Sequence, residues 1–301
     1  MRCSRIRSLV VCGALLFTSS LQAHAGTWVQ FRTLKGDIEV ELFDDEKPGT
    51  VANFLRYATQ IYPTNNVFLH RCIPNFIVQG GGFSIPERGS GSSFTNFLRV
   101  PKLPPITNEF SVGPLRSNVY GTIAMAKVGG DPNSASSEWF FNLADNSANL
   151  DNQNEGFTTF GRVVGGTNVL NFFNTIFKRV TATTCSFRGV VDLGCYTTSS
   201  AGRLFTDLPV NYATTRYPLF NDLFLVDITV LQVKVRSLVD GGHEVSWNSV
   251  KDRENVVEYT DVMPPAWKTL KSIVGDGALQ KATDASNTSP ARFYRVRVVY
   301  P

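Results

Sequence analysis

Short apolar runs separated by polar loops constrain this chain more than any other feature. GTIAMAKV (Gly121–Val128), EWFFNL (Glu138–Leu143) and TFGRVV (Thr159–Val164) follow one another at short spacing. That spacing predicts an antiparallel barrel or sandwich rather than alternating βα units, since a parallel crossover needs a helical stretch between strands. The N-terminal part agrees. In WVQFRTLKGDIEVELF the residues Ile38, Val40 and Leu42 alternate onto one face after a tight turn at Lys35-Gly36-Asp37, which is hairpin patterning. The 22 Phe residues also suit β-rich packing around aromatic cores.

Two segments have helical spacing. PGTVANFLRYATQI places Val51, Phe54, Leu55, Ala58 and Ile61 on one side, with Thr50 as the expected N-cap. Residues 168–177 do the same with Val169, Leu170, Phe173 and Ile176. Residues 67–83 read as strands ending in the Gly80-Gly81-Gly82 turn, and 101–109 as a Pro-rich loop. Residues 178–220 give no clear pattern, and 223–235 return to strand character. From about 236 the chain consists of short strands broken by turns, HEVSW, NVVEYTDV, WKTLKSI, ALQKATD and RFYRVRVVY, with no helical period. A small β-sandwich of about fibronectin type III size is expected there, over 234–301.

The first 25 residues read as a secretory signal peptide: Arg2, Arg5 and Arg7, then an apolar run from Leu9 to Phe17, then Ala23-His24-Ala25. Three of the 29 basic residues and none of the 25 acidic ones lie in it, which leaves the remainder near +1. Charge therefore gives no reason to expect a nucleic-acid partner, and no later run is apolar enough to predict a membrane span after cleavage. The expected destination is periplasmic or secreted. In an oxidising compartment Cys185 and Cys195 are expected to form a disulfide, while Cys72, in an apolar strand pattern, reads as a buried inert thiol. Three histidines in the whole chain give no Ser-His-Asp set and no metal cluster, so neither metal nor cofactor is expected.

The run FLHRCIPNFIVQGGGF, Phe68 to Phe83, resembles the central signature of cyclophilins through His70-Arg71, Ile73-Pro74, Phe76 and Gln79-Gly80-Gly81. GTIAMA (Gly121–Ala126), FFN (Phe140–Asn142), LD (Leu150-Asp151) and FGRVV (Phe160–Val164) follow in family order, and the opening hairpin and the TVANF helix match too. The likeness runs from Trp28 to Val230. It implies a mostly β fold: a closed eight-stranded antiparallel β-barrel capped by two helices, spanning 27–233 with an insertion at 178–220, followed by the small β-sandwich.

The resemblance further implies peptidyl-prolyl cis/trans isomerase activity on proline-containing polypeptides, by a monomer, in the folding of exported proteins. A catalytically weak scaffold that binds proline peptides in the same groove is the alternative. The barrier to X-Pro rotation, about 18–20 kcal/mol, arises from amide resonance, so catalysis needs neither nucleophile nor proton transfer. Arg71 is the expected donor to the twisted amide, with Gln79 holding its guanidinium. Phe76, Ile77, Phe140 and Leu150 would form the proline pocket, and the backbone at Ala126 and Lys127 would pair with the peptide. His70 is expected to be structural or a pocket-edge group, not a base.

Four positions depart from the family pattern: Glu138 where Gln is usual, Asn149 where cyclosporin-binding members have Trp, Phe157 for a pocket-edge His, and Ile77 for Met. Weak cyclosporin binding is the expected consequence. Trp247, Tyr259 and Trp267 of the C-terminal segment read as core rather than as a carbohydrate platform, which leaves that module a binding or spacing role.

Overall fold

The computed structural model describes residues 26–86, 96–175, 189–195, 204–211, 217–231, 233–239, 241–249, 254–262, 265–276, 278–285 and 291–299. The expected signal peptide lies outside these residues. So does Cys185, and with it the expected disulfide; Cys195 ends a short 3-10 turn, Leu193–Cys195, and is exposed.

Eight strands make the main sheet: β1 (Trp28–Thr33), β2 (Gly36–Leu42), β3 (Arg71–Ile73), β4 (Ile77–Gly80), β5 (Thr122–Met125), β6 (Trp139–Asn142), β7 (Thr159–Gly165) and β8 (Asp227–Leu231). Their spatial order is β8-β1-β2-β7-β5-β6-β4-β3, and every pair is antiparallel. The sheet curls into a half-barrel and does not close, which corrects the expectation of a closed barrel. Its edges β8 and β3 share no ladder. Just before those edges the chain makes one isolated bridge, Phe68 to Leu225, flanked by Leu69 N–H to Phe224 O (2.8 Å) and Val226 N–H to Val67 O (2.9 Å). The Cys72 N–H of β3 goes instead to Asp207 O at 2.8 Å, in the inserted segment. The insertion therefore takes the hydrogen-bonding edge that a closing strand would need. Its apolar side chains Val191, Leu193, Phe205, Leu208 and Val210 pack with Phe68 and Phe83 as a second core.

The main core lies between the concave sheet and two helices. Phe31 is fully buried and meets Trp139 edge-on at 4.9 Å, Phe141 at 5.1 Å and Phe54 at 5.8 Å. Alternation along β1 and β6 places Phe31, Trp139 and Phe141 on one face. Helix α1 (Pro48–Arg56) contributes Val51 and Phe54 and runs on through a π turn, Tyr57–Ile61. Its N-terminal N–H groups are not capped by Thr50, as expected, but by the Glu109 carboxylate, which accepts from Gly49 N (3.0 Å) and Thr50 N (2.6 Å). A carboxylate there also meets the positive end of the helix dipole. Glu109→Ala is expected to lower stability by about 1 kcal/mol, read as a shift of the urea unfolding midpoint at constant slope. The second capping helix, Thr167–Thr175, buries Val169, Leu170 and Phe173 against the same core.

Burial pushes the Cys72 thiol well above its usual range, and its Sγ faces the Phe173 carbonyl at 3.6 Å. That agrees with an inert core thiol.

After β8 the chain forms two three-stranded antiparallel sheets. One joins Val233–Ser237, His243–Asn248 and Leu279–Asp284; the other joins Lys268–Val274, Glu254–Thr260 and Phe293–Val299. Val245, Trp247, Val257, Ala282 and Val296 are buried between them. Trp247 is core, as expected. Tyr259 and Trp267 are half-buried beneath the guanidinium groups of Arg292 and Arg295, each 4.3 Å from the ring.

Candidate functional site

Strands β3 and β4 are joined by the turn Pro74-Asn75-Phe76. Asn75 has a positive φ of 57° and is held by its N–H to Asn174 Oδ1 at 2.6 Å. The turn aims Phe76 across the outer face of the sheet, where Phe76 O accepts from Leu143 N (2.8 Å) and Asn146 Nδ2 (2.8 Å). A short helical turn, Ser147–Leu150, then brings Leu150 to the same face. The result is a groove of about 340 Å³ lined by Arg71, Phe76, Ile77, Gln79, Ala126, Lys127, Phe140, Leu150, Gln153 and Phe157. Nine of these were expected from the sequence. Gln153 was not; it stands in the polar loop DNQNEG, where no local pattern marks it.

The apolar floor is a cluster of its own, Ile77, Ala124, Phe140 and Leu150, with Phe76, Ala126 and Phe157 around it. Phe140 and Phe157 meet edge-on at 5.9 Å. At one side stands the half-buried Arg71, whose guanidinium makes no hydrogen bond or ion pair among the described residues.

Three expected site residues are placed elsewhere. His70 is 5% exposed and packs edge-on to Phe83 at 4.9 Å, on the opposite face of the chain from Arg71. Glu138 lies beside it, its Oε2 3.4 Å from His70 Nε2. Asn149 is exposed on the helical turn and does not line the groove.

Gln79 also differs from expectation. It is the register partner of Arg71, yet its Nε2 donates to Glu138 Oε2 at 2.8 Å and it makes no bond to the guanidinium. A carboxylate only accepts, so this bond turns the amide nitrogen toward Glu138 and leaves the Gln79 carbonyl oxygen as its free end. Burial pushes the Glu138 carboxyl up, but the His70 imidazole, the Gln79 amide and the more distant Lys102 outweigh it and hold the group below its usual range. Room for the carboxylate comes from Gly82, where a Cβ would stand 2.7 Å from the Glu138 carboxyl carbon. Gly81, at φ +83°, lets the chain pass within reach of Ser137 O. The triple glycine is thus a close-approach turn.

The Ala126 N–H is already used, donating to Glu138 O at 2.9 Å, so Ala126 offers the groove its side chain and not this donor. Lys127 bends over Phe157, with Nζ 4.9 Å from the ring centre. Among the described residues no group of three or more His, Cys, Asp or Glu could hold a metal ion.

A family model described as "Cyclophilin type peptidyl-prolyl cis-trans isomerase/CLD" matches residues 28–189. The peptidyl-prolyl cis-trans isomerase of Acinetobacter baylyi is 37% identical over 166 residues, which cover 55% of this chain and 80% of that protein. Peptidyl-prolyl cis-trans isomerase B of Escherichia coli K12 is 37% identical over 147 residues, 48% of this chain and 81% of that protein. A solved cyclophilin-type isomerase of Cryptosporidium parvum, crystallised with the dipeptide Ala-Pro, is 19% identical. It covers 67% of this chain and 98% of its own, with a TM-score of 0.42. With more than half of its length matched by the family model, and relatives aligned over four fifths of their own length, this chain belongs to the cyclophilin-type peptidyl-prolyl cis-trans isomerases.

Proposed function

We propose that this isomerase acts on exported polypeptides after removal of residues 1–25, with Arg71 as the donor that lowers the rotation barrier. The observation that carries the site is the Arg71 guanidinium, unpartnered among the described residues, beside an apolar floor of Ile77, Ala124, Phe140 and Leu150. A guanidinium offers several fixed N–H groups and stays charged. It can bond the carbonyl oxygen or the pyramidalising nitrogen better in the twisted amide than in the planar one, and that difference is what accelerates the step. Phe76, Ile77, Phe140, Leu150 and Phe157 hold the ring. X-Pro isomerisation takes tens to hundreds of seconds uncatalysed, slow enough to limit the folding of a newly exported chain.

Glu138 acts through Gln79. By fixing the amide nitrogen it presents the Gln79 carbonyl oxygen on the face that Arg71 shares. Glu138→Gln keeps an acceptor and is expected to change kcat less than about three-fold. Glu138→Leu frees the amide and leaves His70 Nε2–H without its carboxylate, and should lower kcat about ten-fold with KM little changed, since small misplacements act on the transition state. Exchange NMR on a short X-Pro peptide separates the two constants, and equal kcat in Glu138→Leu and wild type rejects the role.

The C-terminal sheets we assign to a fibronectin type III-like sandwich with a binding or spacing role. Support comes from its own buried core around Trp247. Two measurements test the whole proposal. A protease-coupled assay should find turnover in wild type, and cell fractionation should find a chain starting at Gly26 outside the cytoplasm. Peptide binding without turnover would make the groove a non-catalytic proline-peptide site, and an uncleaved cytoplasmic chain would remove the export assignment.

A further inference from the structure

Among the described residues Lys47 and Lys127 are each tied to more than one backbone carbonyl, and they differ by one bond. Lys47 Nζ donates to Glu109 O (3.0 Å), Phe110 O (3.1 Å) and Val112 O, which uses all three of its N–H groups, and the side chain is 1% exposed. Lys127 Nζ donates to Asn154 O (2.7 Å) and Gly156 O (2.6 Å). An ammonium has three donors, and among the described residues the third has no acceptor. The half-buried Lys127 also has no carboxylate in ion-pair range among those residues; Asp131 and Glu155 act on it only from further away.

Lys127 is one of the residues that line the groove, and its ammonium lies over the ring of another, Phe157. The only other charged residue in the lining is Arg71, and no acidic residue lines the groove. Two cations short of counter-charge therefore border the apolar floor. Burial lowers the Lys127 ammonium to about 8, in keeping with a charge that lacks an ionic partner. The two carbonyl bonds and the Phe157 ring fix the head group in advance, so a ligand that takes the third N–H need not immobilise a long side chain.

We propose that Lys127 makes the groove selective for proline peptides that carry a carboxylate, an Asp or Glu side chain flanking the proline. The inference rests on the groove being the proline site. A flanking carboxylate would accept the third N–H and balance the charge, a charge-assisted bond of the stronger kind. A flanking lysine would meet two like charges.

The test compares matched X-Pro peptides with Glu, Gln or Lys beside the proline, by exchange NMR at low salt and pH 6.5. The Glu peptide should exceed the Gln peptide in kcat/KM by about three- to five-fold, the upper part of the range for a partly exposed ion pair, and the Lys peptide should fall below both. The Glu-to-Gln ratio should drop to about one in Lys127→Met and persist in Lys127→Arg, with the thermal unfolding midpoint of each variant reporting its fold. A merely structural lysine would lower turnover of all three peptides alike and leave the ratio unchanged. The charged groups that act on Lys127 are the Asp131 and Glu155 carboxylates, and Arg71 is the other charged residue of the shared lining. Because the ammonium carries charge below about 8 and the peptide carboxylate is ionised above about 4.3, the wild-type ratio should hold between those values and decay as pH rises through the upper one, while Lys127→Met stays flat over the same span. A ratio of one in wild type, or the same ratio in Lys127→Met, overturns the proposal. Turnover of none of the peptides by wild type would overturn the isomerase reading beneath it, a distinct result.

Discussion

Arg71→Ala is expected to lower kcat for X-Pro isomerisation by roughly 100- to 1000-fold, the usual loss on deleting one preorganised donor to a transition state. KM should move much less, because the apolar floor of Ile77, Phe140 and Leu150 that would hold the ring is untouched. Arg71→Lys should not restore the rate: an ammonium is a point donor and cannot present the planar fork that spans carbonyl oxygen and amide nitrogen. The fold should be little affected, since the guanidinium has no protein partner among the described residues to lose. The check is exchange NMR on wild type and both variants at one peptide concentration series. A drop below about five-fold for Arg71→Ala would exclude Arg71 as the principal donor and send attention to other groups in the groove.

The largest expected effect on stability is at Trp139. Its ring is fully buried, edge-on to Phe31 at 4.9 Å and to Phe141 at 5.7 Å, and it fills the space beside Gly80. Truncating a residue of this size to Ala loses its transfer free energy and leaves a cavity, together about 3–5 kcal/mol. That is a large part of the 5–15 kcal/mol that holds a typical domain folded. Chemical denaturation of Trp139→Ala should give a midpoint shift of that size. A loss under about 1 kcal/mol would mean that the sheet and helix α1 collapse onto the gap. Trp139 neighbours Phe140 in β6, so a partly folded variant should also lose groove binding.

The hairpin of β1 and β2, helix α1 and its partner over residues 167–175 were legible because each rests on a local period, two or 3.6 residues, written into the apolar positions. The groove was legible only through the family resemblance: Arg71, Phe76, Ile77, Gln79 and Phe140 stand at motif positions, in three short strands and a turn. What could not be read were relations between distant segments. The Glu109 cap on α1 comes from a Pro-rich loop about sixty residues on. The open edge of the half-barrel depends on Asp207, in a stretch with no periodic signal. Gln153 reaches the groove from a loop of polar residues that could have pointed anywhere. The placement of His70 was readable in part: successive residues of an extended chain face opposite sides, so His70 and Arg71 could not both enter the groove. Glu138 then follows His70 inward, a pairing that spacing alone does not reveal.

The pairing of β1 with β8 has a consequence for the time course of folding. Trp28 lies opposite Leu231, so the first strand finds its partner about two hundred residues later in the chain. Contacts of such long range carry a high loop-closure entropy before any pairing energy is returned, and they set slow rates. During synthesis β1 and β2 can pair at once, but the outer edge of β1 stays open until β8 has been made. Until then it is a strand edge able to pair with other chains. A chain held unfolded until it is complete would pass over that interval altogether.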